Sequence, residues 1–354
     1  MCTMERPPVP QERTAKITKR LEVAREDVSQ MTQHSRGKAN IRYEKGGEHL
    51  FAKYVTRQAE GLDNIAGLAR EARLLEKLAD TGLVPTVKDF KMYPNEQKAR
   101  LLLEELPGMS LDHMPSKERR EFVEHAPDVI VRKTAEALQR VNNEGIHVVD
   151  INEGTFLFDQ NADGDVDVRV LDLELGYDET EGVGEGLERA LKFISRGDPA
   201  YCVSPEASAR SVEELKKAEM FRWAKMLSQY IFPRRPVEVT VPAERKTEYD
   251  AYIARVHGDI EKRVAREIQR AFTRLKPERD AMEISGGEDA YVQKKLPYTL
   301  KNELRTASLP FTLPDVLKAN NVTLDASATA FLAQCLSYDP TMRPENFHAL
   351  LGDV

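Results

Sequence analysis

One stretch decides the fold of this chain: residues 145–176 read GIHVVDINEGTFLFDQNADGDVDVRVLDLELG. The apolar, partly aromatic run at 155–159 has the composition of a β-strand. The run at 166–170 alternates valine with charged residues, which predicts a strand with one buried face. An Asp-Gly pair between the two runs is a turn signal, because glycine supplies the positive φ that hairpin turns need. A hairpin brings its ends together, so we expect Asp150 and Asp172 to lie side by side, an arrangement suited to metal binding and proton handling.

The residues around these two aspartates resemble two loops of the eukaryotic-type protein kinase family. In that family the first loop reads H-R-D-L-K-x-x-N and the second reads D-F-G. Here Asp150 and Asp172 take the places of the two aspartates, and Thr155 stands where the family has asparagine. The family's His, Arg, Lys, Asn and Gly are replaced, so the pattern is that of a divergent member. The resemblance implies an α+β, bilobal protein kinase-like fold with a small β-rich N-lobe and a larger helical C-lobe.

The region before the hairpin extends the resemblance. A strand pattern at 50–55 contains Phe51-Ala52-Lys53, where the family has V-A-I-K. A helix is predicted over 62–80 from apolar residues at helical spacing, and Glu71 has the register of the family's lysine-pairing glutamate. The resemblance implies that Lys53 holds the α- and β-phosphates of ATP and that Glu71 orients it. No G-x-G-x-x-G flap precedes the strand, so fewer backbone N–H groups can approach phosphates closely.

Two more strands, predicted at 86–93 and 99–106, end in a segment that resembles the family's hinge between lobes. The resemblance implies that the Leu103 side chain lies at the back of the adenine pocket and limits access beyond it. It also implies that the linker after it, which includes Glu104 and Leu106, offers backbone hydrogen bonds to adenine. Apolar walls with a few backbone donors and acceptors suit a flat heteroaromatic ring.

The C-terminal part carries its own landmarks. Residues 116–143 are predicted to be helical. A helix over 212–232 is apolar nearly all round, so we expect it to be buried. The P-E box that ends at Glu206 and the D-P-x-x-R-P pattern at 339–344 resemble two motifs of the protein kinase family. The resemblance implies a structural ion pair between Glu206 and Arg343.

These landmarks divide the chain into predicted parts. Residues 1–30 form a charged N-terminal extension and residues 31–106 the N-lobe. Residues 107–354 form the C-lobe, which contains a divergent, charged helical insertion at about 234–300.

The overall composition limits the binding partners and the cellular location that we expect for this protein. The 354 residues carry a formal net charge of -7, which argues against binding to nucleic acid or to anionic membranes. The 3 Cys have no zinc or disulfide spacing, which indicates a reducing compartment. No apolar run is long enough to span a bilayer and no signal region is visible at the N-terminus, so the expected location is the cytoplasm.

The family resemblance implies a phosphotransferase that moves the γ-phosphate of ATP to a Ser/Thr hydroxyl on a protein. Asp172 would bind Mg²⁺, with Mn²⁺ as an alternative ion, and Asp150 would orient the acceptor hydroxyl and accept its proton. Thr155 occupies the position of the second metal ligand. Glu174 is a candidate replacement, because Asp-x-Glu places two carboxylates on one side of an extended strand.

Two alternatives remain open from the sequence. The missing flap glycines, Asn, catalytic Lys and D-F-G glycine favour a pseudokinase that acts as a scaffold or allosteric partner with weak or no nucleotide binding. The D-x-E pattern favours a small-molecule kinase of the choline or aminoglycoside type. The expected partners are therefore ATP and a protein substrate or binding protein, and the sequence does not predict an oligomeric state.

Overall fold

The computed structural model describes residues 28–34, 38–56, 64–93, 97–161, 164–182, 184–196, 211–228, 322–337 and 340–352, with the single residues 247, 254, 258, 262 and 317. The chain divides into two compact units. The first comprises residues 1–114, 136–150 and 154–182, and the second comprises residues 115–135, 151–153 and 183–354.

The first unit contains a five-stranded antiparallel sheet. Its strands are β1 (Val28–His34), β2 (Lys38–Lys45), β3 (Glu48–Thr56), β4 (Val87–Tyr93) and β5 (Lys98–Glu104). The strand order is β1-β2-β3-β5-β4. The strands predicted at 50–55, 86–93 and 99–106 are therefore confirmed as β3, β4 and β5, with β5 ending two residues earlier than expected.

The two faces of this sheet have different roles. One face is an apolar core, and it is formed by Ala39, Ile41, Tyr43, Leu50, Ala52 and Tyr54. Lys53 lies on the opposite face, since successive side chains of a strand alternate between faces. Helix α1 (Asn64–Lys77) lies near β3, β4 and β5 and buries Leu68, Ala72 and Leu75, which confirms the predicted helix.

Two smaller sheets complete the first unit. Their strands are β6 (Met109–Ser110), β7 (Ile146–His147), β8 (Phe156–Gln160), β9 (Val166–Val170) and β10 (Tyr177–Asp178). One sheet has the order β6-β8-β9 and the other pairs β10 with β7, and all these pairs are antiparallel.

The hairpin expected from the deciding stretch is present as β8 and β9. Phe156 pairs with Val170 at its open end, and the three valines of β9 are buried while Asp167 is exposed. Gly164, in the connection between the strands, has a φ of +90°, a left-handed conformation that glycine adopts without steric cost. The predicted turn chemistry and the one-sided burial are both confirmed.

The described residues after 115 include six α-helices. They are α2 (Ser116–His125), α3 (Pro127–Asn143), α4 (Glu185–Arg196), α5 (Val212–Met226), α6 (Ala326–Cys335) and α7 (His348–Leu351). With the antiparallel sheets, these helices confirm an α+β architecture that is consistent with a kinase-like fold. No helix among the described ranges is both long enough and apolar enough to span a membrane.

The prediction that residues 116–143 are helical is confirmed, with one interruption. The structure has two helices there, and Ala126 between them adopts φ -134° and ψ 43°, outside the helical region. The cause is Pro127, because the residue before a proline is sterically disfavoured in the α conformation. Proline itself is well placed at the first position of α3, where its missing N–H would have had no partner within the helix.

Helix α5 is buried nearly all round, as its composition predicted. Ser211 and Glu214 form a capping box at its first turn, with each side chain accepting a hydrogen bond from the other's backbone N–H. Trp223 has no exposed surface, and its ring packs edge-on against Phe331 and Phe347. Its indole N–H donates to Thr134 Oγ1 over 2.9 Å.

Several sequence predictions lie outside the described residues. They are the N-terminal extension up to residue 27, the P-E box with Glu206, and nearly all of the insertion at 234–300. Arg343, the predicted partner of Glu206, is described and buried. Its guanidinium donates two hydrogen bonds to the carbonyl of Ser337, at 2.8 and 2.7 Å, and lies 4.5 Å from the ring centre of Phe221.

Candidate active site

The centre of the site is Lys53, which the structure places between two carboxylates. Its Nζ donates to Glu71 Oε1 over 2.6 Å and to Asp172 Oδ1 over 3.1 Å. Strand β3 supplies the lysine, helix α1 supplies Glu71, and the end of the β8–β9 hairpin supplies Asp172. Residues separated by up to 119 positions in sequence therefore meet at one ammonium group.

Asp172 has an unusual backbone. Its φ is +62°, a left-handed conformation that few residues other than glycine adopt. The hairpin fixes its position, because the N–H of the preceding Leu171 donates to the carbonyl of Thr155 over 2.8 Å. The Asp172 carboxylate is 43% exposed, so it can bind Lys53 and still present oxygen to a ligand. Sparsely populated backbone conformations cluster at functional sites, which agrees with a ligand-binding role for Asp172.

The charge of the Lys53 ammonium group interacts with several nearby carboxylates. Burial works to lower the pKa of Lys53, but Asp172, Glu71 and Glu174 outweigh it and raise that pKa, so the ammonium stays charged. Burial raises the pKa of Glu71 to about 7; the Lys53 charge opposes this shift and the Asp172 charge adds to it. Three carboxyl groups around one cation leave an excess of negative charge, which a divalent cation would reduce.

We expect Glu71→Gln to flatten part of the pH dependence of stability. The pKa of Glu71 rises from 4.5 in the unfolded chain to about 7 in the fold, so the folded state binds this proton more tightly. Its stabilising contribution is therefore present below about pH 4.5 and is lost as the pH rises through 7, by at most about 3 kcal/mol. Glutamine carries no such proton. Urea denaturation of both proteins between about pH 5 and pH 8 measures the difference, and parallel curves would contradict it.

The start of the hairpin holds two more predicted residues. Thr155 is fully buried, and its hydroxyl donates to the carbonyl of Asp150 over 3.1 Å. This bond ties the backbone of Asp150 to the base of β8, so Thr155 supports the loop that carries the predicted proton acceptor. Its assignment as a metal ligand stays a prediction, as does that of Glu174.

The predicted adenine side of the site is also defined in part. Leu103 is buried on β5 opposite Phe51 of β3, on the same sheet face as Lys53. The N–H groups of Glu104 and Glu105 are already bound, to the carbonyls of Thr86 and His49. Of the two linker residues predicted to contact adenine, Glu104 therefore has only its backbone carbonyl available for hydrogen bonding. The other, Leu106, lies two residues later in the chain.

The carboxylates near Lys53 suit a metal that is shared with phosphate. Among the described residues, no group of three or more His, Cys, Asp or Glu side chains is placed to hold a metal ion by itself. Mg²⁺ in phosphotransfer sites is commonly held by one or two carboxylates together with substrate phosphates. Asp172, with Glu174 two residues later, therefore has the donor chemistry that such a site needs.

A row of basic residues on α1 was not assigned a role from the sequence. Arg70, Arg73 and Lys77 all contact the segment that follows Asp172. A signal was present in their spacing along one helix face and in the acidic run at 178–181.

Comparisons with known proteins bear on this site. A model of the lipopolysaccharide kinase (Kdo/WaaP) family matches residues 11–186, just under half of the chain. The matched part contains Lys53, Glu71, Asp150 and Asp172. The comparison with curated proteins gave no match. The chain is thus similar to a kinase family of the wider protein kinase-like superfamily, which supports phosphotransferase activity in general but does not single out the eukaryotic-type branch that its motifs resemble.

Proposed function

We propose that this protein is a phosphotransferase that moves the γ-phosphate of ATP to a hydroxyl group. The observation that carries the proposal is the Lys53 ammonium held 2.6 Å from Glu71 and 3.1 Å from Asp172. A scaffold has no need to gather these charges, and Glu71 is only 1% exposed, so burying it unpaired would be costly. This arrangement favours phosphotransfer over the pseudokinase alternative.

Each charged group has a role in this proposal. Lys53 binds the α- and β-phosphates, and Glu71 keeps its side chain extended toward them. Asp172, with Glu174 as a second candidate, would hold Mg²⁺ or Mn²⁺ together with the phosphate oxygens. A bound divalent cation neutralises phosphate charge, and phosphoryl transfer depends on positioning and charge neutralisation more than on covalent chemistry.

Asp150 completes the reaction. The bond between the γ-phosphorus and the oxygen that bridges to the β-phosphate breaks, and a bond from the acceptor oxygen to the γ-phosphorus forms. Asp150 orients the acceptor hydroxyl and takes its proton, while ADP leaves. Thr155, through its hydrogen bond to the Asp150 carbonyl, keeps the start of this loop in place.

The acceptor has two candidates. A Ser/Thr hydroxyl on a protein is supported by the C-terminal D-P-x-x-R-P pattern and the P-E box, which resemble motifs of protein kinases. A saccharide hydroxyl is supported by the match to the lipopolysaccharide kinase family. Both acceptors present an alcohol to the same carboxylate, so the chemistry around Asp150 is common to them.

The test begins with nucleotide binding. We expect ATP with Mg²⁺ or Mn²⁺ to raise the Tm of the wild-type protein, since a ligand at 100 times its Kd stabilises the fold by about 2.7 kcal/mol. Lys53→Met should abolish the rise because it removes the phosphate-binding charge. Lys45→Met, at an exposed lysine near the end of β2, is the matched control and should leave the rise unchanged.

Transfer is then followed with ATP labelled at the γ-phosphate. Mixed Ser/Thr peptides form one arm and lipopolysaccharide forms the other, so the two acceptor classes are separated in one assay. Label in either acceptor that depends on Lys53 supports the proposal. No rise in Tm at millimolar ATP with either metal would overturn it and would favour a scaffold.

A further inference from the structure

Helix α1 carries a basic row beside the site. Arg70, Arg73 and Lys77 follow one another at intervals of three and four residues, so they lie along one side of the helix. All three contact residues 174–181, which we call the clamp segment. Glu71 lies on the same helix, immediately after the first of these basic residues.

The contacts form a ladder along the helix. Arg70 Nη1 donates to the backbone carbonyl of Glu174 over 2.8 Å, and Lys77 Nζ donates to Asp178 Oδ1 over 2.9 Å. Arg73 forms an ion pair with Glu181. The ladder thus ties both ends of the basic row to a segment that begins two residues after Asp172.

Hydrogen bonds within the clamp segment and to residues 145–147 fix its conformation. Asp178 Oδ1 accepts hydrogen bonds from the backbone N–H and the hydroxyl of Thr180, at 2.9 and 2.7 Å. The N–H of Glu179 donates to the carbonyl of Gly145, and its carboxylate lies 2.9 Å from His147 Nε2. These bonds join the segment to β7 and to the residue just before it.

Close packing at Gly176 adds to the ladder. A Cβ at this position would lie 2.7 Å from Leu74 Cδ1 of α1 and 3.1 Å from the carbonyl of Leu173. A side chain at this position would force the buried Leu74 side chain to shift, whereas glycine allows the close approach without displacing it. The helix therefore meets the segment through both charge and packing.

We propose that the clamp segment is a positioning element that holds α1, and with it Glu71, against Lys53 through carboxylates the sequence already provides. This inference rests on the proposed function. Withdrawing Glu71 from Lys53 would require α1 to turn or shift, and the ladder contacts would have to break. Added phosphate commonly orders such segments by pairing with arginine. Here the buried Asp178 carboxylate fills that role through its pair with Lys77, so the site assembles without modification of this segment.

The Lys77–Asp178 pair should dominate the ladder. The Asp178 side chain is only 7% exposed, whereas the Arg73 side chain is 56% exposed. Burial works to raise the pKa of Asp178, but the hydrogen bonds from Lys77 and Thr180 outweigh it and lower that pKa. Exposed ion pairs are screened by water and contribute little, so the Arg73–Glu181 pair offers a matched control.

The test is a double-mutant cycle on Lys77→Met and Asp178→Asn. Asparagine also caps helices, so it can keep the turn at Thr180 while losing the charge. We expect each single variant to speed amide hydrogen exchange in α1 about tenfold and to lower kcat about tenfold, with a smaller change in KM for ATP. The double variant should be no worse than either single variant, because both remove one interaction. Arg73→Gln should change each quantity less than about twofold.

The outcomes separate this inference from the proposed function. Unchanged exchange and kcat in both single variants, or effects that simply add, would overturn the clamp. If the wild-type protein neither binds ATP nor transfers phosphate, the proposed function is wrong. The hydrogen-exchange measurements then still show whether the clamp segment holds α1 in place. Wild-type protein treated with phosphatase should keep its full activity, and a loss of activity would show that the carboxylates are not sufficient.

Discussion

Asp172→Asn is expected to lower the rate of phosphoryl transfer by about 10³-fold or more, with little loss of stability. The change removes the charge that Asp172 offers to Lys53 and to a divalent cation, and charge stabilisation is commonly the largest catalytic contribution. Asparagine has nearly the same shape and tolerates the left-handed φ of +62° at this position. The backbone should therefore stay in place, so the loss can be assigned to the carboxylate. Labelled-phosphate transfer at saturating ATP and Mg²⁺ measures it.

A matched control lies in the same hairpin. Asp167 is on β9, and its side chain is 71% exposed and 3.9 Å from Arg169. Asp167→Asn removes the same charge from the same element, so transfer should remain within about twofold of wild type. If Asp172→Asn kept more than about a tenth of the wild-type rate, the assignment of the metal to Asp172 would be wrong, and Glu174 would become the residue to test.

The β8–β9 hairpin could be predicted from the sequence because it depends on local rules. Alternating valines in β9 indicate a buried face, and an Asp-Gly pair indicates a turn. Neither signal depends on residues that are distant in the chain. The prediction that Lys53 pairs with Glu71 rested on the resemblance to a family in which a strand with a lysine is followed by a helix with a glutamate. The structure places these side chains together, at a distance that sequence spacing alone could not give.

The features that were not predicted from the sequence depend on contacts between residues that are distant in the chain. Lys77 and Asp178 are 101 positions apart, and nothing in a basic row of residues says which acidic run it will meet. The match to the lipopolysaccharide kinase family was not predicted either, since the motifs of the chain resemble the eukaryotic-type branch.

Trp223→Ala is expected to lower the free energy of unfolding by about 3–5 kcal/mol, the usual cost of truncating a buried aromatic residue. Trp223 is fully buried, and its ring centre lies 6.1 Å from that of Phe331 and 5.0 Å from that of Phe347. Alanine would leave a cavity beside Phe331 of α6 and beside Phe347, which immediately precedes α7. Urea denaturation followed by far-ultraviolet circular dichroism measures the loss, because the chain has only 1 Trp and the variant has no tryptophan fluorescence.

Trp223→Phe separates packing from hydrogen bonding. Phenylalanine keeps an aromatic ring beside Phe331 and Phe347 but removes the N–H that donates to Thr134. The Thr134 hydroxyl still donates to the carbonyl of Ile130 over 2.7 Å, so it is not left without a partner. We therefore expect a cost of about 1–2 kcal/mol, from one lost hydrogen bond and a smaller ring. Equal losses in both variants would show that the hydrogen bond, rather than the packing of the ring, holds α5 in this core.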